Sequence, residues 1–207
     1  MNRIVVLGIG NTLNHDEGVG VHAVQALQAH LTPRPPSLRG KGETSSPPLA
    51  GEGLGEGSAL AGEGLGEGSA LAGEGLGEGS VLAGPWSEVA FLDGGTLGLN
   101  LLPIVEEASH LLILDAVDAR QPPGTVIELA GEAIPLFSGI KLSQHQVTFQ
   151  EVLGLAAVRG KLPPHLHLIG VQPADLEIGL ELSPVVAAAL PEVVRRARAV
   201  LQAWRVA

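Results

Sequence analysis

The chain has 207 residues, 45% of them hydrophobic, which is enough for one domain with a substantial core. Its formal net charge of −10 disfavours nucleic acid and anionic membranes as partners, and the absence of cysteine excludes disulfides, thiolate metal sites and cysteine nucleophiles. No apolar stretch reaches the ~20 residues of a membrane span and no signal-peptide pattern follows Met1, so we expect a cytoplasmic protein without a membrane partner.

The first predicted element is a strand at residues 3–8, whose apolar run from Ile4 to Leu7 is of the kind found in strands buried on both faces. The glycine-rich turn GIGNTLNHDEGVG, residues 8–20, follows it. From Glu17 to about His30 the apolar residues recur at helical spacing, which predicts the first helix. This strand, turn and helix open the domain.

Residues 31–84 differ in composition from the rest of the chain. They contain three copies of GEGLGEGS, at 51–58, 62–69 and 73–80, each with four glycines. A glycine costs a helix about 1 kcal/mol, and so polar a repeat cannot bury enough apolar surface to offset the entropy lost on ordering. We therefore predict a disordered low-complexity insertion in a surface loop, with a partner-binding or spacer arm as the alternative.

After the insertion, apolar strand patterns alternate with helical ones. Strands are predicted at 88–95, 110–118, 124–129 and 165–173, and helices at 97–108, at 145–160 and from Ser183 and Pro184 onward, with a kink or break at Pro191. This alternation predicts an α/β fold, in which a mainly parallel twisted sheet of about five strands is covered by helices on both faces. We expect a single domain over residues 1–207.

Acidic residues follow three of the predicted strands. Asp16 and Glu17 follow the first strand through a short loop, Asp93 lies at the end of the second, and Asp115 lies at the end of the third. Ligand sites in parallel sheets lie beyond the carboxyl ends of the strands, so we expect these side chains at one edge. Crowded carboxylates repel each other, and either a proton or a cation must join them.

The two acidic residues of the turn allow simpler interpretations. Asp16 is predicted to be a helix N-cap, and Glu17 is either a first-turn residue favoured by the helix dipole or a site residue. A dinucleotide-binding turn is disfavoured, because the third glycine of G-x-G-x-x-G would fall at Leu13 and the acidic pair would lie near the phosphates.

A transition-metal ion would also prefer imidazole ligands. His15 lies in the turn, and His145 lies in the loop KLSQHQ before a helix, where a solvated histidine is as reasonable as a ligand. His165 and His167 share a strand face but begin their strand, at the wrong edge for this site. The chain has no H-E-x-x-H and no G-x-S-x-G, so a site of carboxylates and imidazole is the remaining hydrolytic arrangement.

Several motifs occur together and in a characteristic order. They are VLGIGNTLNHDEGVG, LDGGT, LLILDAVD, PGTV, SQHQ and GVQP followed by GLELSP. This ordered set resembles the NiFe hydrogenase maturation endopeptidases over nearly the whole chain outside residues 31–84. The resemblance implies a three-layer α/β/α sandwich.

The resemblance also implies an activity. Members of that family remove a C-terminal extension from the precursor of the NiFe hydrogenase large subunit after nickel has been inserted into it. The positions that contact the metal correspond to Glu17, Asp115 and His145 here, and Asp93 corresponds to a recurrent aspartate with a supporting or catalytic role. The implied protein is an aspartyl-type endopeptidase that recognises nickel carried by its substrate and uses no nucleotide cofactor. The alternative is a maturation chaperone that binds the nickel-loaded precursor without cleaving it.

Overall fold

The structure is a computed structural model that describes residues 3–31, 80–81, 86–131, 133–136 and 149–206. These residues all belong to one compact unit, formed by Met1–Pro33 and Leu76–Ala207, whereas a second unit, Arg34–Gly75, lies outside the described residues. Within the predicted insertion, Leu31 ends a helix and Ser80–Val81 forms a short strand. The rest of the insertion prediction falls outside the described residues.

Six strands form a single sheet in the described part of the chain. They are β1 (Ile4–Ile9), β2 (Ser80–Val81), β3 (Val89–Gly95), β4 (His110–Ala116), β5 (Val126–Ala130) and β6 (His165–Val171). Their order across the sheet is β2-β3-β1-β4-β6-β5. The neighbours β3, β1, β4 and β6 run parallel, while β2 and β5 are antiparallel edge strands. The prediction of a mainly parallel sheet is confirmed.

The reversed direction of β5 follows from the length of the chain before it. A parallel crossover needs a dozen or more residues, and usually a helix, to return the chain to the starting edge. Residues 117–125 connect β4 to β5 and are too few for this, so β5 runs back along β6 instead.

The helices are α1 (Val19–Leu31), α2 (Leu102–Glu107), α3 (Ala133–Leu136), α4 (Phe149–Val158), α5 (Pro184–Ala187) and α6 (Leu190–Val206). Turns of 3₁₀ helix at His15–Gly18 and Gly98–Leu101 precede α1 and α2. None of the helices in the described ranges is long and apolar enough to cross a membrane.

The predicted break in the last helix is confirmed. The Ser183 hydroxyl accepts a hydrogen bond from the Val186 N–H at 3.4 Å and caps α5, which ends at Ala187. The chain then starts a new helix at Leu190. Pro191 occupies the first turn of that helix, where its missing N–H leaves no hydrogen bond unmade.

Hydrophobic cores on the two faces of the sheet explain the continuous apolar runs. Ile4 and Val6 of β1 pack with α1 and α6, whereas Val5 and Leu7 pack with α2 and α4. Because alternate residues of a strand face opposite sides, a strand covered on both sides needs apolar residues at every position. Each fully buried leucine contributes about 1.5–3 kcal/mol to folding. The three-layer arrangement is thereby confirmed.

Candidate functional site

The carboxyl edge of the parallel strands carries the predicted acidic residues. Gly8 near the end of β1 pairs with Asp93 on β3 and with Leu114 on β4. Asp93 and Asp115 therefore lie within one residue of the same level at this edge, as expected from parallel strands.

The two aspartates project to opposite faces of the sheet. Asp93 is two residues after Phe91 and therefore points to the same face of the sheet, the face that packs with α1 and α6. The Asp93 side chain is exposed. Asp115 is two residues after Ile113 and therefore points to the opposite face, the face that packs with α2 and α4. The expectation that the carboxylates lie at one edge thus holds for Asp93 and Asp115, but the two side chains leave the sheet on different faces, because side-chain direction alternates along a strand.

A glycine turn brings Glu17 back to this edge. Gly10 has φ +126°, and a Cβ atom at that position would lie 1.8 Å from the carbonyl oxygen of Glu17. Only glycine combines this backbone conformation with so close an approach. The Gly10 N–H also donates to the Gly95 carbonyl at 3.0 Å, which ties the turn to the end of β3. The turn thus positions a carboxylate-bearing segment.

Glu17 and Asp115 form an electrostatically coupled pair. Asp115 is only 6% exposed, and this burial raises its pKa to about 8; a hydrogen bond from the Ala116 backbone opposes the shift, and the negative charge of Glu17 adds to it. Burial also raises the pKa of Glu17. Ionisation of both carboxylates at once is unfavourable, so the pair can share a proton or bind a cation.

His145, the third predicted metal ligand, lies outside the described residues. Within the part of the chain that the structure describes, no three His, Cys, Asp or Glu side chains are grouped so that they could hold a metal ion. The described portion of the site is therefore a pair of carboxylates.

Asp16 does not cap a helix, so that prediction is wrong. Its side chain is fully buried, and its Oδ2 accepts hydrogen bonds from the Ala174 N–H at 2.8 Å, the Asp175 N–H at 3.0 Å and the Ser183 hydroxyl at 2.8 Å. Its Oδ1 accepts from the Ser183 N–H at 2.7 Å. Burial alone would raise the pKa of Asp16, but these hydrogen bonds lower it below the ordinary value.

Asp16 thereby joins two segments, which we call the first rim loop (residues 11–18) and the second rim loop (residues 173–183). Their backbones are also paired: the His15 N–H donates to the Gly179 carbonyl at 2.8 Å, and the Gly179 N–H donates to the Leu13 carbonyl at 2.9 Å. The His15 ring bonds the Glu181 carbonyl through Nδ1. His15 thus contributes to loop pairing.

The remaining histidine candidates lie at the opposite, amino edge of the sheet. The His165 ring stacks on His110 with ring centroids 4.1 Å apart, and His167 Nε2 lies 2.8 Å from the Glu128 carboxylate. These contacts agree with the expectation that this strand start is remote from the carboxylate site.

Replacing Gly179 by alanine is expected to destabilise the fold by about 2 kcal/mol, because the new methyl group would overlap a packed ring. A Cβ atom at this position would lie 2.0 Å from the His15 ring. Urea unfolding measures the loss. Gly154→Ala is the matched control, since a Cβ there meets nothing within 4 Å and helix α4 should gain stability. Equal changes in the two variants would contradict close pairing of the rim loops.

Comparison with known proteins agrees with this architecture. The family model for hydrogenase maturation proteases matches residues 82–200. The hydrogenase expression/formation protein HupD of Thiocapsa roseopersicina is 37% identical over 176 residues, which cover 84% of this chain and 56% of that relative. HupD of Rhodobacter capsulatus is 33% identical over 205 residues, covering 98% of this chain and 72% of the relative. This chain therefore spans little more than half of the first relative and about seven-tenths of the second.

A solved structure shows the same fold. The hydrogenase maturating endopeptidase HybD of Escherichia coli superposes with a TM-score of 0.64 at 29% sequence identity, covering 97% of this chain and 92% of that chain. The matched family and the shared fold lead to one assignment: this chain belongs to the hydrogenase maturation protease family, a family of peptide-bond hydrolases.

Proposed function

We propose that this protein is the endopeptidase that removes the C-terminal extension from a nickel-loaded precursor of a NiFe hydrogenase large subunit. The substrate-bound nickel is the recognition anchor, and Glu17, Asp115 and His145 contact it. The observation that supports this proposal best is the pair of a half-buried Glu17 and a buried Asp115 at the carboxyl edge of the sheet, whose negative charges oppose each other. The predicted cytoplasmic location stays a prediction.

The electrostatics of the pair suit a cation. Within the described residues, neither Glu17 nor Asp115 forms an ion pair with lysine, arginine or histidine. A divalent ion offsets both the burial cost and the mutual repulsion, and it displaces the protons that the pair would otherwise hold. Two carboxylates and an imidazole form a donor set that a nickel ion accepts.

In this proposal the metal is part of the substrate. Three protein ligands leave coordination positions for the ligands that the precursor itself provides, so binding depends on the precursor having been loaded. The selection of one peptide bond then follows from its distance to the anchor.

Asp93 is the candidate for a supporting or catalytic role in hydrolysis. It lies at the same edge, exposed, and on the other face of the sheet from Asp115. The Asp93→Asn variant is expected to bind the loaded precursor and to cleave it more slowly.

The experiment that tests the proposed function is intact-mass spectrometry of the precursor after incubation with this protein. Loss of one discrete C-terminal peptide from nickel-loaded precursor, but not from nickel-free precursor, is the expected result. Cleavage of both forms would contradict recognition of nickel. Binding of loaded precursor without cleavage would favour the chaperone alternative.

His145→Ala is expected to abolish processing while leaving the melting temperature unchanged. The matched control is His30→Ala, an exposed histidine near the far end of α1, which should process precursor like the wild type. Wild-type turnover by His145→Ala would show that this histidine is not a ligand for the anchor.

A further inference from the structure

The paired rim loops expose four large apolar side chains to solvent. Ile178 is 89% exposed, Leu180 68%, Leu13 57% and Leu176 37%. Single exposed leucines are ordinary on protein surfaces, but a contiguous group on two loops marks an interaction surface. We call these four side chains the rim surface.

The backbone that carries the rim surface is held in place by hydrogen bonds. Asp16 links the first rim loop to Ala174, Asp175 and Ser183, and the loop backbones pair through Gly179. Exposed apolar side chains on a preorganised backbone lose little entropy on binding, which favours association. The network therefore presents apolar groups to a partner.

The loops that carry the rim surface adjoin the candidate site. Glu17 follows Asp16 directly in the chain, so the network that holds the second rim loop also holds the segment carrying Glu17. A molecule that binds at Glu17 therefore reaches a segment that also carries part of the rim surface, since Leu13 and Glu17 lie on the same first rim loop.

The charges around the rim surface define its partner. The two rim loops contain no lysine or arginine, and Asp175, Glu177 and Glu181 alternate with the apolar residues of the second loop. Such a surface suits an apolar segment flanked by lysine or arginine, and it repels anionic lipid. A second copy of this chain would oppose like charges across a two-fold axis.

We propose that the rim surface is the docking site for the precursor itself, binding an apolar, basic segment of it beside the metal anchor. This inference rests on the proposed function. The anchor selects loaded precursor, and the rim surface provides a second contact that recognises the polypeptide and orients the scissile bond.

The test compares cleavage of nickel-loaded precursor by the wild type and by the double variant Ile178→Ser and Leu180→Ser. We expect kcat/KM to fall at least about tenfold, mainly through KM, because two apolar anchors lose their buried contact. The melting temperature should be unchanged, since both side chains are exposed. The matched control is Val158→Ser at the end of α4, which is 87% exposed and remote from the carboxyl edge, and should cleave like the wild type.

A variant with altered charge tests the docking proposal without changing Ile178 or Leu180. Glu177→Lys is expected to raise KM, and added salt to raise the KM of the wild type, because the docked segment is basic. A KM for Glu177→Lys that is unchanged or lower than that of the wild type would overturn the proposal.

Other outcomes separate this proposal from the proposed function. If the wild type cleaves loaded precursor and the double variant does so with unchanged kcat/KM, the docking proposal is wrong while the function stands. If the wild type dimerises through this surface and the double variant is a fully active monomer, the surface is a self-contact and the proposal is overturned. Failure of the wild type to cleave demonstrably loaded precursor overturns the proposed function and, with it, this inference.

Discussion

Replacing Asp16 by alanine is expected to lower the free energy of unfolding by about 3–5 kcal/mol, because it leaves buried hydrogen-bond donors without an acceptor. Asp16 accepts four hydrogen bonds, from Ala174, Asp175 and the backbone and hydroxyl of Ser183. The Ser183 hydroxyl also caps α5, so the loss should extend to the start of that helix. Urea unfolding at pH 7 measures the effect.

The stability difference between Asp16→Ala and the wild type should depend on pH in a defined direction. Burial acts to raise the pKa of Asp16, but its several hydrogen bonds together hold that pKa below the ordinary value. Its stabilising contribution is therefore complete above that ordinary value, near 3.8, and is lost as the pH falls through the lower value of the folded state. The two proteins should converge in stability at strongly acidic pH.

Glu177→Gln is the matched control for Asp16. Glu177 is an exposed acidic residue on the same second rim loop, and its neutralisation should change stability by less than about 0.5 kcal/mol. If Asp16→Ala is no less stable than this control at pH 7, then the carboxylate does not join the rim loops.

Replacing Asp115 by asparagine is expected to abolish processing of the loaded precursor and, at the same time, to stabilise the protein at alkaline pH. The activity loss follows from its proposed contact with the metal anchor, since an amide is a poorer metal ligand than a carboxylate. The stability gain follows from removing a buried group that must ionise as the pH rises. Cleavage assays and urea unfolding on the same preparation measure both effects.

The pH profile of unfolding gives the direction of the second effect. Burial raises the pKa of Asp115 to about 8, with a smaller contribution from the charge of Glu17. The folded state therefore holds a proton that the unfolded state releases near pH 4, and wild-type stability falls as the pH rises from about 4 through 8. Asp115→Asn lacks this loss, so its advantage should grow to the order of several kcal/mol by pH 8.

The control is Glu88→Gln, an exposed residue directly before β3, whose stability should follow the wild type at every pH. An Asp115→Asn protein with a wild-type pH profile would show that Asp115 is not protonated in the folded state. Retained cleavage by that variant would show that it does not contact the anchor.

Local patterns in the sequence determined most of the architecture. The uninterrupted apolar runs of β1 and β4 require apolar cover on both faces, and this requirement alone predicts a central parallel sheet between helices. Ser183, Pro184 and Pro191 predict the cap and the break before α6 because their chemistry acts on neighbouring backbone groups.

The same patterns predicted that the acidic residues lie at the carboxyl edge of the sheet. In a parallel sheet the carboxyl ends of all strands lie at the same edge. In the structure the charge of Glu17 raises the pKa of Asp115 at this edge; their role as metal ligands, which the resemblance to a known family implies, stays a prediction. The sequence therefore predicted at which edge of the sheet the site lies, because the ends of the strands determine that edge.

Only the tertiary structure decided what each acidic side chain contacts. Asp16 and Glu17 are adjacent in the chain, but the first binds backbone groups 158 to 167 residues away, and the charge of the second raises the pKa of Asp115. Asp93 shares the edge with Asp115 and points to the opposite face. The spacing of apolar residues predicts only which face of a helix or strand is buried. The contacts of these acidic side chains depend instead on how loops and strands far apart in the chain pack together, and no local pattern encodes that packing.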